Sequence, residues 1–236
     1  MGNLIFLICV FVFPVLNNYS SAENQCSESG ASYLYDETIV ASKYGLNGTY
    51  RKLVVNGCPN HYSVCQRDSC SGLTSEAVIN QRTIYLLAEP VLRSNMSYDK
   101  NLNCDYGSVG VALNGVPIYS QRGVGDSCVD SISEEGATFD KCGGHADPFT
   151  LEYHYHVAPS CLLRQLNFTG SAYRLPSAQI GWALDGFPIY GPTGPNGLAM
   201  MTCGTCGAHY KYCLDSCNGY YGSLEETNAE DGYMYR

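Results

Sequence analysis

Two ten-residue stretches of this chain repeat each other at an offset of 71 residues, from Tyr119 to Tyr190. The first reads GVALNGVPIY and the second GWALDGFPIY, so an apolar run meets Asn-Gly or Asp-Gly and then a second apolar run. This pattern predicts a β-hairpin in each stretch, with a type I′ turn whose two central residues both have positive φ. Because Pro117 and Pro188 cannot donate a ladder hydrogen bond, we expect the second arm of each hairpin to lie on an edge or to leave the sheet there.

The repeat extends beyond the hairpins. Two pairs of cysteines share a spacing of 14 residues, Cys128 with Cys142 and Cys203 with Cys217. The stretch Tyr153-His-Tyr-His156 then corresponds to Tyr233-Met-Tyr-Arg236, which keeps both tyrosines and lacks both histidines. The first copy continues to Cys161 while the second stops, so we expect the second half to be truncated. The fold class predicted is mainly β, a disulfide-rich single domain with two related halves at about 109–161 and 180–236.

The local composition of the sequence predicts two further strands. Residues 49–55 and 83–88 are rich in β-forming side chains and end at turn signals. Helical periodicity is weak, and 77–81 and 162–166 are expected to form single turns at most. We divide the chain into a signal peptide at 1–22, a polar N-terminal arm at 23–48 and a β domain at 49–236.

The start of the chain predicts secretion. Residues 4–16 form an apolar run that is too short to span a bilayer, which needs roughly 20 residues, and small residues suited to cleavage follow it. No second run of membrane length occurs, so we expect a secreted, extracellular protein that does not insert into a membrane. Three glycosylation sequons fit this compartment and begin at Asn47, Asn95 and Asn167.

Cysteine usage also fits an oxidising compartment. An even number of cysteines after the apolar start predicts a disulfide framework whose pairing the sequence does not specify. These residues are Cys26, Cys58, Cys65, Cys70, Cys104, Cys128, Cys142, Cys161, Cys203, Cys206, Cys213 and Cys217. Cys203 and Cys206, together with Cys213 and Cys217, could instead bind zinc as two reduced pairs, and Cys203 and Cys206 could act as a redox motif. No βαβ pattern surrounds them, and disulfide bonding is favoured.

The histidines are the candidate metal ligands. If Tyr153–His156 is a strand, His154 and His156 share one face and the two tyrosines share the other. His145 lies nearby in the sequence, and His61, Asp147 or Asp185 could complete a site for zinc or copper. The alternative is that these histidines form hydrogen bonds inside a polar core.

Other chemistries lack support. No serine lies in a nucleophile-elbow sequence, and we expect the cysteines to be oxidised, so we assign no catalytic residue. The acidic pairs Glu134-Glu135 and Glu225-Glu226 are interpreted as solvated surface. A formal net charge of -9, without any basic run, argues against nucleic acid as a partner and leaves cations or an extracellular matrix.

Several motifs together resemble the YHYH-domain family. They comprise Asn56-Gly-Cys-Pro-Asn-His61, Gly110–Tyr119, Gly143-Gly-His145, Tyr153–His156 with Pro159-Ser-Cys161, and Gly181–Pro192. The resemblance implies a fold unit and a secreted or periplasmic compartment, and it implies no established activity. The first functional hypothesis is therefore an acidic, glycosylated, non-enzymatic matrix protein that could associate with mineral. The second is a metal-binding protein or metalloenzyme centred on the histidines.

Overall fold

The computed structural model describes residues 25–26, 30, 32–61, 77–92, 107–120, 130–166, 176–195, 197–203, 212–224 and 229–236. Two β-sheets dominate this part of the chain. The small sheet is antiparallel and has the order β1-β2-β3, formed by Tyr35–Lys43, Leu46–Val55 and Arg82–Leu87. The strands predicted at 49–55 and 83–88 are thus confirmed, while β1 lies inside the segment assigned to the N-terminal arm.

The large sheet has eight strands in the order β10-β11-β9-β8-β4-β5-β7-β6. Their bounds are β4 Ser108–Ala112, β5 Pro117–Tyr119, β6 Gly144–Ala146, β7 Tyr153–Tyr155, β8 Gln179–Ala183, β9 Pro188–Tyr190, β10 Gly219–Leu224 and β11 Ala229–Tyr235. Strands β4 and β8 pair antiparallel at its centre, with Val111 opposite Trp182. The mainly β, disulfide-rich class is confirmed, and the internal repeat stays a prediction.

Both predicted hairpins form, but with another turn. Strands β4 and β5 are antiparallel, as are β8 and β9. Gly115 and Gly186 have positive φ values of 81° and 96°, whereas Asn114 and Asp185 do not belong to the positive-φ residues. The backbone N–H of each glycine donates to the carbonyl three residues earlier. This is a three-residue loop with a left-handed glycine, not the type I′ turn that was predicted.

The prolines of these hairpins also differ from expectation. Pro117 and Pro188 are the first residues of β5 and β9, and both strands continue inside the sheet. A proline at the first position of a strand removes no ladder bond that the strand needs. Neither strand is an edge, so that prediction was wrong.

The large sheet is covered on both faces near its centre. Leu53, Val55 and Leu86 of the small sheet pack with Val111 of β4 in one buried cluster. On the other face, Ala112 packs in a second cluster with Leu162 of the helix α2, Ser160–Leu166. Alternation along β4 therefore sends neighbouring side chains into separate cores. The helix is longer than the single turn expected at 162–166.

Three disulfides tie the described segments together: Cys26–Cys58, Cys142–Cys161 and Cys203–Cys213. Because Cys203 is bonded to Cys213, it is not part of a reduced Cys-x-x-Cys pair. Cys217 is a free thiol, which corrects its assignment to the disulfide framework. Every other cysteine in the described ranges is in one of these three disulfides. Cys65, Cys70, Cys104, Cys128 and Cys206 lie outside the described residues.

The described residues contain no helix with the length and apolar character that a membrane span requires.

Candidate metal centre

Strand β7 separates the tyrosines from the histidines of the tetrad. Tyr153 and Tyr155 are buried on one face with their ring centroids 5.6 Å apart and nearly perpendicular. His154 and His156 lie on the other face, where their Nε2 atoms are 3.0 Å apart. The prediction from the alternating pattern, that the histidines and the tyrosines lie on opposite faces, is therefore confirmed.

A third imidazole comes from the neighbouring strand. β6 pairs antiparallel with β7, and His145 lies directly opposite His154 in the register. Side chains directly opposite each other on antiparallel strands share a face and lie close together. The Nε2 atoms of His145 and His154 are accordingly 3.0 Å apart.

The fourth group is the carboxylate of Glu135. It ends the short helix α1, Ser131–Glu135, whose N-cap Asp130 accepts a hydrogen bond from the backbone N–H of Ile132. Glu135 Oε2 lies 3.1 Å from His145 Nε2 and 3.4 Å from His156 Nε2. Its side chain is 31% exposed, whereas those of the two imidazoles it contacts are at most 8% exposed. The cluster is therefore accessible to solvent on the side of Glu135.

The Nδ1 atoms of all three histidines are engaged away from the centre. His154 Nδ1 lies 3.0 Å from the carbonyl of Glu152, and His156 Nδ1 lies 2.7 Å from the carbonyl of Ser120. A carbonyl only accepts, so both Nδ1 atoms carry the proton and donate it. Their Nε2 atoms are then unprotonated in the neutral rings, with lone pairs directed into the cluster.

His145 is held in the same tautomer by a hydroxyl. Its Nδ1 lies 2.7 Å from Thr138 Oγ1, and that hydroxyl donates to the carbonyl of Glu135 at 2.7 Å. Because the hydroxyl proton is used there, the oxygen accepts from His145 Nδ1. A partner of this kind on the far nitrogen is typical of metal-binding imidazoles, because it orients the ring and makes the free nitrogen more basic.

Aromatic rings shield the cluster. Tyr119 stacks on His154 with centroids 4.1 Å apart and planes 21° apart. Phe139 stacks on His156 and meets His145 edge-on. The Tyr119 hydroxyl donates to Glu152 Oε2 at 3.2 Å, and burial, together with this carboxylate, raises its pKa to about 12. Arg82 forms an ion pair with the Glu152 carboxylate. This contact holds Glu152 in place, and its backbone carbonyl accepts the hydrogen bond that orients His154.

Burial keeps the imidazoles of His145 and His154 uncharged. Desolvation, with smaller effects of His154 and His156, lowers the pKa of His145 to about 3. Desolvation is also the main cause that lowers the pKa of His154 to about 4. The neutral imidazole is the form that binds a metal ion.

Comparison with known proteins places the chain in a family. The family model described as YHYH protein matches residues 83–235, a range that includes all four donor residues. The chain belongs to the YHYH protein family. No curated protein and no solved structure matches it significantly. Membership and the disulfides are consistent with an extracellular protein.

In this YHYH protein, His61 is separate from the other predicted ligands. It lies on the tyrosine face of β7, with its Nε2 atom 3.0 Å from the Tyr153 hydroxyl and 3.4 Å from Asp140 Oδ2. Because Tyr153 and His154 point to opposite faces, the sheet itself lies between His61 and the cluster. His61 also lies near Cys142 and Cys161, but these are joined in a disulfide and offer no thiolate.

The two aspartates considered as ligands have other roles in the YHYH fold. Asp147 Oδ1 accepts hydrogen bonds from the backbone N–H groups of Phe149 and Thr150 and so closes its own loop. Asp185 Oδ2 accepts a hydrogen bond from the Tyr235 hydroxyl at 2.6 Å, in the other half of the large sheet. Neither completes the histidine cluster, which consists of Glu135, His145, His154 and His156.

Sequence reasoning missed Glu135, which was assigned with Glu134 to solvated surface. Glu134 is exposed, as expected, but Glu135 faces the histidines. One signal could have distinguished them: Asp130 is a good N-cap residue, and it predicts a short helix whose successive residues point in different directions. The separation in sequence between Glu135 and the tetrad does not indicate that they are in contact, because the turn and β6 that lie between them bring them together only in the folded structure.

Proposed function

We propose that this YHYH protein binds one divalent transition-metal ion through Glu135, His145, His154 and His156. The observation that carries the proposal is that three Nε2 atoms and one carboxylate oxygen surround a common point, while each Nδ1 has a hydrogen-bond partner elsewhere. Three imidazoles and a carboxylate form a ligand set suited to zinc or copper. The four donor atoms all lie within 4.8 Å of one another, which one ion can bridge.

A purely hydrogen-bonded polar core accounts less well for this geometry. Each 3.0 Å contact between Nε2 atoms would need a proton on one of them. If His154 carried that proton as a neutral ring, its Nδ1 lone pair would face the Glu152 carbonyl at 3.0 Å, where two acceptors repel. If His145 or His156 carried it and kept its Nδ1 proton, that buried ring would be a charged imidazolium. A cation at the centre satisfies all three nitrogen atoms and leaves every Nδ1 bond intact.

Metal content tests the proposal. The full chain, purified from a secreting host, is measured for zinc, copper and nickel, and the metal-stripped protein is titrated calorimetrically with each ion. We expect one equivalent bound, and a loss of at least about tenfold in affinity in His154→Ala and in Glu135→Gln. Glu134→Gln is the matched control, since its carboxylate neighbours the ligand in sequence but is exposed. Equal affinity in wild type and His154→Ala would overturn the proposal.

Secretion and N-glycosylation form part of the same proposal. Asn47 lies on β2 near its turn from β1 and is exposed, as a glycosylated asparagine must be. The other two sequons lie outside the described residues. Expression in a secreting eukaryotic cell should give a protein whose mass falls on enzymatic deglycosylation, by a smaller amount in Asn47→Gln. An unchanged mass would contradict glycosylation.

A matrix role is a second candidate, and exposed tyrosines favour it. Tyr44 is 80% exposed and Tyr221 is 62% exposed. Such phenols are accessible to oxidative cross-linking, and the acidic surface suits a hydrated, cation-rich matrix. Recovery of the protein from an insoluble extracellular fraction, with dityrosine that involves these residues, would support this role. Complete extraction in mild buffer without dityrosine would contradict it.

A further inference from the structure

We propose that the cluster of Glu135, His145, His154 and His156 is a tetragonal copper(II) site rather than a tetrahedral zinc site. The inference rests on the proposed metal binding and adds the identity and coordination geometry of the ion.

The donor atoms form a ring of near neighbours. Around it, the successive separations are 3.0 Å from His145 to His154, 3.0 Å from His154 to His156, 3.4 Å from His156 to Glu135 and 3.1 Å from Glu135 back to His145. Each donor therefore has two close neighbours and one donor across the ring.

The pairs across the ring are wider. Among the described residues, contacts within 4.0 Å join Glu135 to His145 and His156 but not to His154, although all four donor atoms lie within 4.8 Å of one another. For the other opposite pair, His145 and His156, the imidazole rings as a whole lie farther apart than the rings of adjacent pairs. The ring centroids of His145 and His156 are 5.7 Å apart, against 4.6 Å and 4.8 Å for the adjacent pairs that include His154.

These separations distinguish two geometries. A tetrahedral ion with bonds of about 2.0–2.1 Å holds all its ligand atoms about 3.3 Å apart, so no pair exceeds the others. A planar set with similar bonds separates neighbours by about 2.9 Å and opposite donors by about 4.1 Å. The cluster has four short separations and a longer one between Glu135 and His154. A separation of more than 4.0 Å between Glu135 and His154 is wider than a regular tetrahedron allows, and it fits two donors trans to each other in a plane.

The chemistry of the donors selects the ion. Tetragonal sites built from nitrogen and oxygen are typical of copper(II) and nickel(II), and copper(II) binds more tightly than nickel(II) or zinc in the general order of divalent ions. Zinc has no electronic preference for a plane and occupies four-ligand protein sites as a tetrahedron. The imidazoles are held at Nδ1 by Glu152, Ser120 and Thr138, so the separations observed among their Nε2 atoms are the ones a bound ion meets.

Electron paramagnetic resonance of the full chain loaded with one equivalent of copper(II) tests the geometry. We expect an axial spectrum with nitrogen splitting from three imidazoles. In His154→Ala the number of coupled nitrogens should fall to two. In Glu135→Gln the three-nitrogen pattern should persist with affinity lowered at least about tenfold, while Glu134→Gln should match wild type. A rhombic spectrum typical of a tetrahedrally distorted ion would overturn the assignment.

Cobalt(II) supplies a test that does not depend on the high affinity of copper for most sites. Cobalt(II) in a tetrahedral site absorbs visible light several-fold more strongly than in a site of higher coordination number. We expect weak bands for the wild-type chain. Strong tetrahedral bands would reject the copper geometry and leave metal binding itself intact. Failure of copper, cobalt and zinc alike to bind at one equivalent would instead reject the proposed function.

Discussion

The two ends of the large sheet share a tyrosine–aspartate framework. At the first end, Tyr153 donates a hydrogen bond to Asp140 Oδ2 at 2.6 Å, and at the second Tyr233 donates to Asp215 Oδ2 at 2.8 Å. In each case the other carboxylate oxygen accepts backbone N–H groups of the following turn. The paired tyrosine rings are perpendicular at both ends, with centroids 5.6 Å and 5.4 Å apart.

The opposite faces of the same strands differ. His154 and Met234 are both buried, but only the first offers a ligand. His156 donates through Nδ1 to the Ser120 carbonyl, whereas Arg236 donates through Nη1 to the carbonyl of Thr193 at 2.6 Å. The framework therefore forms without histidine. The difference indicates that the tyrosines stabilise the strand and that the histidines have a separate role.

The largest expected effect comes from making the first end resemble the second. In His154→Met, the tyrosine framework should persist, because Met234 is accommodated beside Tyr233 and Tyr235. We expect metal affinity to fall at least about tenfold, because the variant loses the imidazole whose Nε2 atom lies 3.0 Å from those of two others. Calorimetric titration with copper(II), with circular dichroism as the check on folding, measures this. A folded variant with wild-type affinity would show that His154 is not a metal ligand.

The reverse substitution, Met234→His, tests whether one histidine is enough to create a metal site at the second end. It should create no second site, because Arg236 occupies the position where a neighbouring imidazole would be needed. A second equivalent of bound metal in Met234→His would contradict this.

The next effect concerns Cys142, which is in a disulfide at the first end, whereas Cys217, at the corresponding position of the second end, is a free thiol. Cys142–Cys161 closes a loop with a sequence separation of 19 residues. Replacing both cysteines by serine should lower the free energy of unfolding by about 3 kcal/mol, because the unfolded chain regains conformational freedom. Cys217→Ser at the other end should change it by less than about 0.5 kcal/mol, since that thiol is free. Urea unfolding measures both, and equal losses would contradict the difference.

Loss of the tyrosine hydroxyls should have a smaller effect. Tyr153→Phe leaves Asp140, which is 4% exposed, without one hydrogen-bond donor, and this should cost about 2 kcal/mol. Tyr233→Phe should cost about 1 kcal/mol, because Asp215 is exposed and water replaces the hydroxyl. Urea unfolding at pH 7 checks the order. A larger loss of unfolding free energy in Tyr233→Phe would show that the hydrogen bond of Tyr233 stabilises the protein more than that of Tyr153.

A pH effect of about 1 kcal/mol, similar to the loss of one tyrosine hydroxyl, should come from His145 and His154. Folding holds the pKa values of His145 and His154 at about 3 and about 4, well below the value of about 6.5 in an unfolded chain. As pH falls below about 6.5, the unfolded state binds protons that the folded state does not, so stability declines. Between pH 7 and pH 6, we expect a corresponding decrease in the urea midpoint of the metal-free protein.

The matched variant for the pH effect is His154→Met, which removes one of the two titrating groups. The decrease between pH 7 and pH 6 should be smaller in this variant than in wild type, with both proteins kept in a chelator. Identical decreases would show that other groups, and not these imidazoles, cause the pH dependence.

Much of the local structure could be predicted from the sequence. Asn-Gly and Asp-Gly predicted the hairpins because glycine readily adopts positive φ, and both hairpins form around Gly115 and Gly186. The turn type was wrong because the dipeptide specifies a glycine with positive φ but not the length of the loop. The edge position of Pro117 was wrong because a proline that starts a strand needs no donor there.

The sequence by itself determined which side chains share a face of β7, because alternation is a property of the extended backbone. It also determined that the histidines, unlike the tyrosines, are absent from the second end. Only the tertiary structure decided that His145 lies opposite His154, that Glu135 rather than His61 joins them, and that the donors form a ring with Glu135 across from His154. These facts depend on strand register and on the path of the chain between elements, which contacts distant in sequence establish.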